Sequence, residues 1–140
     1  KPLPRAPRFS SRRTPQKEGI VLVSCMVVGI GGFVGSILRY LCSSLAPSAP
    51  LGLPTLLINT AGSFALAALT TWTLKGALGN EQLSLMLRVG LCGGFTTFST
   101  FSVEALQLLE GDKPYLGLIY LILSCVLGLG AAYLGSVLAR

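Results

Sequence analysis

Residues Gly90 to Glu104 read G-L-C-G-G-F-T-T-F-S-T-F-S-V-E. No charge falls between Val89 and Val103, so the stretch can lie within a bilayer. Yet Gly93 and Gly94 precede five hydroxyl residues, Thr96, Thr97, Ser99, Thr100 and Ser102. Glycine costs about 1 kcal/mol against alanine in a helix interior, and β-branched threonine adds to the strain. In hydrocarbon an interrupted backbone is tolerated only where protein or a water-filled cavity surrounds it. The stretch therefore reads as a discontinuous membrane helix at a functional centre, with the hydroxyl-rich double-glycine step as its weak point.

Outward from this stretch the chain keeps a membrane composition. Of its 140 residues 51% are hydrophobic and 11% charged, with a mean hydropathy of +0.71. Residues 19–38, 40–74 and 114–139 carry no charge. A spanning helix needs about 20 mostly apolar residues. This predicts an all-α integral membrane domain over 19–140, with four spans near 20–43, 54–75, 83–108 and 114–138, the first two separated by a Pro-containing turn from Ala46 to Pro54.

Residues 1–18 form a basic segment rich in Pro, Arg and Ser that cannot bury enough apolar area to order itself, and it reads as a flexible tail. Six of the 11 basic residues lie there: Lys1, Arg5, Arg8, Arg12, Arg13 and Lys17. Such a tail faces cytosol and anionic lipid rather than nucleic acid. The expected location is the cell membrane, plasma or inner. An organelle membrane is the alternative, because an Arg- and Ser-rich, acid-poor leader also resembles a transit sequence.

Histidine is absent and the acids number five, so a catalytic metal centre or carboxylate pair has little material and an enzyme is not expected. Cys25, Cys42, Cys92 and Cys125 lie in separate apolar segments without paired spacing and read as small apolar filler.

Within the first span Gly31 and Gly35, then Gly32 and Ser36, recur four residues apart, which lets helix backbones approach closely. Arg39 and Tyr40 end that span as a snorkelling cation and an interfacial aromatic. In the second span Pro54 suits the first helical turn. Asn59, about one and a half turns in, must face a helix neighbour or a solute path, because an unpaired intramembrane amide costs several kcal/mol. In the third span Phe95, Phe98 and Phe101 recur every three residues, as core packing or as pore lining. In the fourth, Tyr120 and Ser124 share a face that Gly128 and Ala132 continue. Four helices with so few polar residues enclose little space for a solute, so oligomerisation is expected.

Three motifs together resemble the Fluc/CrcB fluoride channel family: G-G-F-V-G-S-I-L-R-Y from Gly31, L-L-I-N-T-A-G-S-F from Leu56, and the opening stretch from Gly90. The resemblance covers residues 27–138 in order. It implies an antiparallel, dual-topology dimer of four-helix subunits, with two fluoride pores and a central structural Na⁺ held by backbone carbonyls of the broken helix. By motif position those carbonyls belong to Gly93 and Thr96. The implied pore residues are Asn59, Phe98, Phe101, Tyr120 and Ser124, with Arg39 in the vestibule. Relatives tend to continue a hydroxyl track along the last helix, whereas this chain offers Gly128 one turn after Ser124.

The partners implied are fluoride, the lipid bilayer, and either a second copy of the chain or an oppositely oriented relative. Two rivals from other classes are a small four-span exporter of cationic drugs by proton exchange and a non-transporting membrane subunit. The exporter needs an intramembrane carboxylate, and the acid nearest to suiting it is Glu104, near the end of the third span.

Overall fold

The structure, a computed structural model, describes residues 15–45 and 52–140. Residues 1–14 of the basic tail and residues 46–51 of the first connecting turn lie outside the described residues. The rest is helical, with no strand among the described residues: α1 (Pro15–Ser44), α2 (Leu53–Leu74), α3 (Glu81–Leu85), a π-helical segment (Met86–Cys92), α4 (Gly93–Phe95), α5 (Phe98–Glu110) and α6 (Pro114–Leu138). The first helix thus begins at Pro15, inside the stretch read as tail.

Three continuous helices, within Glu18–Ser44, Leu53–Leu74 and Pro114–Leu138, are long and apolar enough to cross a membrane. The third predicted span is divided, because Thr96 and Thr97 are extended, at φ/ψ −80/159° and −149/118°. The interruption therefore lies at the threonine pair rather than at the glycines. Gly93 is helical, at φ −64° and ψ −38°. Each threonine has a separate task. Both the N–H and the hydroxyl of Thr96 donate to the Cys92 carbonyl, at 3.0 and 2.9 Å, which closes α4. The Thr97 hydroxyl accepts from the Thr100 N–H at 3.2 Å and so caps α5, a preferred role for a short hydroxyl side chain.

The glycines serve close approach instead. A Cβ on Gly94 would stand 2.6 Å from the Gly32 carbonyl oxygen, and one on Gly90 would stand 2.7 Å from that of Val28. α1 packs along the π-helical segment and α4 through this seam, while α2 packs along α6, where Gly135 lies against the Phe64 backbone. Lipid supplies no hydrophobic drive for helix association, so small residues must let backbones meet. The buried set is accordingly short: Ile58, Ala68, Cys92, Ala105 and Tyr120 among the hydrophobic residues within the helices, together with Thr55 and Ser84. Large apolar side chains cover the outside, as on α6 at Ile122, Val126, Leu129 and Tyr133.

Pro54 occupies the first turn of α2, as its fixed φ allows. Gly52 caps that helix at φ +60°, where a Cβ would also stand 2.6 Å from a Glu104 carboxylate oxygen and 2.9 Å from the Tyr120 hydroxyl. Both the turn and the packing exclude a larger residue. The α5–α6 connection is equally tight, with Gly117 against Leu109.

Candidate functional site

The interrupted helix is held open from α2. Asn59 Oδ1 accepts from the Thr97 N–H at 2.8 Å, and Asn59 Nδ2 donates to the Thr97 carbonyl at 2.9 Å. One side-chain amide thus satisfies both backbone groups of a residue that no helix serves fully, a requirement inside a membrane. Asn59 also lines a cavity of about 210 Å³ together with Ser63, Thr96, Thr97 and Phe98. Of the two roles open to Asn59, the structure shows the contact between helices directly and leaves the side chain beside a cavity as well.

From this break a row of aromatic rings runs to α6. Phe98 is 79% exposed and lies 5.8 Å, centroid to centroid, from Phe101 at a 49° tilt. Phe101 lies 5.3 Å from Tyr120 at 48°. Tyr120 is 2% exposed, and its hydroxyl donates to Glu104 Oε2 at 2.7 Å. Phe95 does not share this face. The extended residues Thr96 and Thr97 rotate it away, and it lines an apolar cleft with Cys42, Leu53 and Ile58. A three-residue repeat marks one face only along a continuous helix.

Ser124, one turn beyond Tyr120, has a buried hydroxyl with no hydrogen-bond partner. Such a group carries a desolvation cost of about 1–3 kcal/mol until something meets it. Arg39 is not in the aromatic row. Its Nε donates to the Gly94 carbonyl at 3.2 Å, on the α1 side of α4.

The residues at the break suit a hard cation. The N–H groups that would close helical turns onto the Gly93 and Thr96 carbonyls belong to Thr97 and Thr100. Both are committed to side-chain acceptors, Asn59 Oδ1 and Thr97 Oγ1. A Cβ on Gly93 would meet nothing within 4 Å, so the backbone there faces out of the subunit. Among the described residues no cluster of His, Cys, Asp or Glu could hold a metal ion instead.

One group went unrecognised in the sequence. Thr55 Oγ1 donates to Glu104 Oε1 at 2.8 Å while Tyr120 donates to Oε2, so one carboxylate joins α2, α5 and α6. The signal was present in part, since Thr55 lies four residues before Asn59 and therefore on the same helix face.

The family model described as CrcB-like protein, Camphor Resistance (CrcB), matches residues 26–136. The chain is 38% identical over 122 residues to the fluoride-specific ion channel FluC of Ruminiclostridium cellulolyticum, covering 85% of this chain and 94% of that protein. It is 44% identical over 115 residues to the protein of the same name in Oceanobacillus iheyensis, with 81% and 89% coverage. To the one in Thermus thermophilus it is 43% identical over 113 residues, with 79% and 90% coverage. A match that runs through all the helices and spans nearly the whole of each relative is a match of the entire membrane unit, and the chain belongs to the CrcB family.

Proposed function

We propose that this protein is a fluoride-selective channel that lets fluoride leave the cell passively, and so relieves fluoride toxicity, as an antiparallel dimer with two pores. The observation that carries this reading is the pinned break: Asn59 holds Thr97, and Phe98 stands in the open with Phe101 and Tyr120 behind it. The name shared by the relatives, fluoride-specific ion channel, supports it.

Fluoride is small and strongly hydrated, so a path through hydrocarbon must replace water's hydrogen bonds. The hydroxyl of Ser124 and the remaining N–H of Asn59 are neutral donors, and Tyr120, whose own proton goes to Glu104, closes the row behind them. Phenylalanine rings carry a positive edge, and the edges of Phe98 and Phe101 stabilise an anion without trapping it. Neutral donors suit conduction, which needs binding strong enough to admit the ion and weak enough to release it. Arg39 stands at the vestibule, where its charge raises the local concentration of anions.

In this reading the segment from Glu81 to Glu110 is a fourth crossing of the membrane. The exposure of Phe98 supports a second subunit, a copy of the chain or an oppositely oriented relative, that completes the pore. The Gly93 and Thr96 carbonyls of each subunit would hold a structural Na⁺. When bound, that ion contributes a fixed positive charge that ties the two broken helices together.

The test is fluoride efflux from liposomes carrying the purified full-length chain, read with an ion-selective electrode, with chloride as control. Rapid fluoride loss without chloride loss is expected, and Phe98→Ile should reduce it to the level of protein-free vesicles. Parent-level flux in Phe98→Ile would remove the aromatic row from the pathway. Absent flux that an oppositely oriented relative fails to restore would sink the channel reading.

A further inference from the structure

At the end of the bundle away from Tyr120, where α2 turns into α3, a cleft of about 500 Å³ has mixed walls, with Leu78 and Leu85 beside Thr73, Asn80, Ser84 and the oppositely charged Glu81 and Arg88. The connecting turn passes through Gly76 and Gly79, at φ +72° and +58°, and a Cβ at either would meet nothing within 4 Å, so the turn leaves the cleft open. The hydroxyls of Thr73 and Ser84 lie 2.9 Å apart and join its two walls.

Arg88 is the unusual member. Its Nε donates to Thr70 Oγ1 at 3.2 Å, and the Thr70 proton goes to the Leu66 carbonyl at 2.7 Å. That uses one of the five N–H groups of the guanidinium. A cation inside a membrane domain is costly and pairs with an anion or reaches toward the surface. Thr70 lies five residues before Lys75, which caps the end of α2. At about 1.5 Å per residue the guanidinium sits roughly 7.5 Å below that point, close to the thickness of one headgroup layer.

We propose that this cleft holds the phosphate of a membrane phospholipid, with Arg88 as its principal partner. The planar fork of arginine matches two phosphate oxygens at once. The chemistry recognised, a tetrahedral phosphate oxyanion, is shared with free inorganic phosphate. The surroundings favour the lipid, because exposed Leu74 and Leu83 flank the same end of the bundle and offer apolar surface to acyl chains. Glu81, in the cleft wall, opposes the anion and limits its affinity.

Native mass spectrometry of the full-length chain in detergent, with added dioleoylphosphatidylglycerol, tests this without any measurement of fluoride flux. Retained lipid should fall about tenfold in Arg88→Gln, the loss of charge-assisted hydrogen bonds, and rise in Glu81→Gln. Millimolar inorganic phosphate should leave the bound lipid in place. Equal retention in Arg88→Gln and the parent would overturn the site, and displacement by inorganic phosphate would overturn the lipid as its occupant. If Arg88→Gln does not fold, Glu81→Gln decides alone: Glu81 is exposed on a short helix, and lipid retention unaffected by its loss of charge would refute the proposal.

Discussion

At the scale of single residues, Asn59 is the side chain on which most depends. Both halves of its amide serve one backbone residue, so Asn59→Ala strands a donor and an acceptor of Thr97 in a partly buried place. Each stranded group costs about 1–3 kcal/mol. The expected outcome is a lower unfolding temperature in detergent together with lost fluoride flux. Intact stability with flux lost would show a contact with the ion alone. Tyr120 admits a narrower change. Tyr120→Phe keeps the ring beside Phe101 but removes the donor to Glu104 Oε2, while Thr55 still serves Oε1. A hydrogen bond to a charged group contributes about 1.5–3 kcal/mol. Thermal unfolding of Tyr120→Phe, Thr55→Val and the double variant should therefore show each loss separately, with coupling through the shared carboxylate.

At the scale of elements, the third segment divides its labour between two residue types. The threonines end one helix and start the next, and the glycines let the segment lie directly against α1. A Cβ on Gly90 would stand 2.9 Å from the Gly31 Cα as well as 2.7 Å from the Val28 carbonyl oxygen. Gly90→Ala should accordingly lose about 1–3 kcal/mol by overpacking. On Gly19, in the first turns of α1, a Cβ would meet nothing within 4 Å. Gly19→Ala should leave stability unchanged or raise it by up to about 1 kcal/mol through helix propensity. Opposite signs in the two unfolding temperatures would separate packing from propensity. The same division explains why the break was legible within Gly90–Glu104 but not to the residue. Glycine and β-branched threonine both lower helix propensity, and composition alone does not say which of them leaves the helix.

At the scale of the whole molecule, charge decides orientation. If the protein crosses four times, as proposed above, the tail, Lys75 and Arg140 share one side, and Arg39 and Lys113 lie on the other. Setting Arg88 aside, that is eight basic residues against two, a bias from which the positive-inside rule predicts a cytosolic N-terminus. Without residues 1–17 the balance is two against two. Deleting them should convert a single orientation into a mixture, read by labelling engineered cysteines near each terminus from either side. A homodimer with every N-terminus inside would end the antiparallel reading and leave pairing with an oppositely oriented relative as the way to complete a pore.

By itself the sequence determined the membrane class, the positions of the apolar segments, the glycine seam of α1 and the presence of an interrupted helix, because hydropathy and backbone preference act locally. It also marked Asn59, Phe98, Phe101 and Tyr120 as exceptional, since polar and aromatic groups recurring in hydrocarbon need a reason. Only the tertiary structure decided what they touch. That Asn59 spends its amide on Thr97, that Glu104 is shared by Thr55 and Tyr120, and that Phe95 parts from Phe98 all depend on helix rotation and on two extended residues. Periodicity fixes a face only along an unbroken helix, and hydrogen bonds between helices are settled by packing.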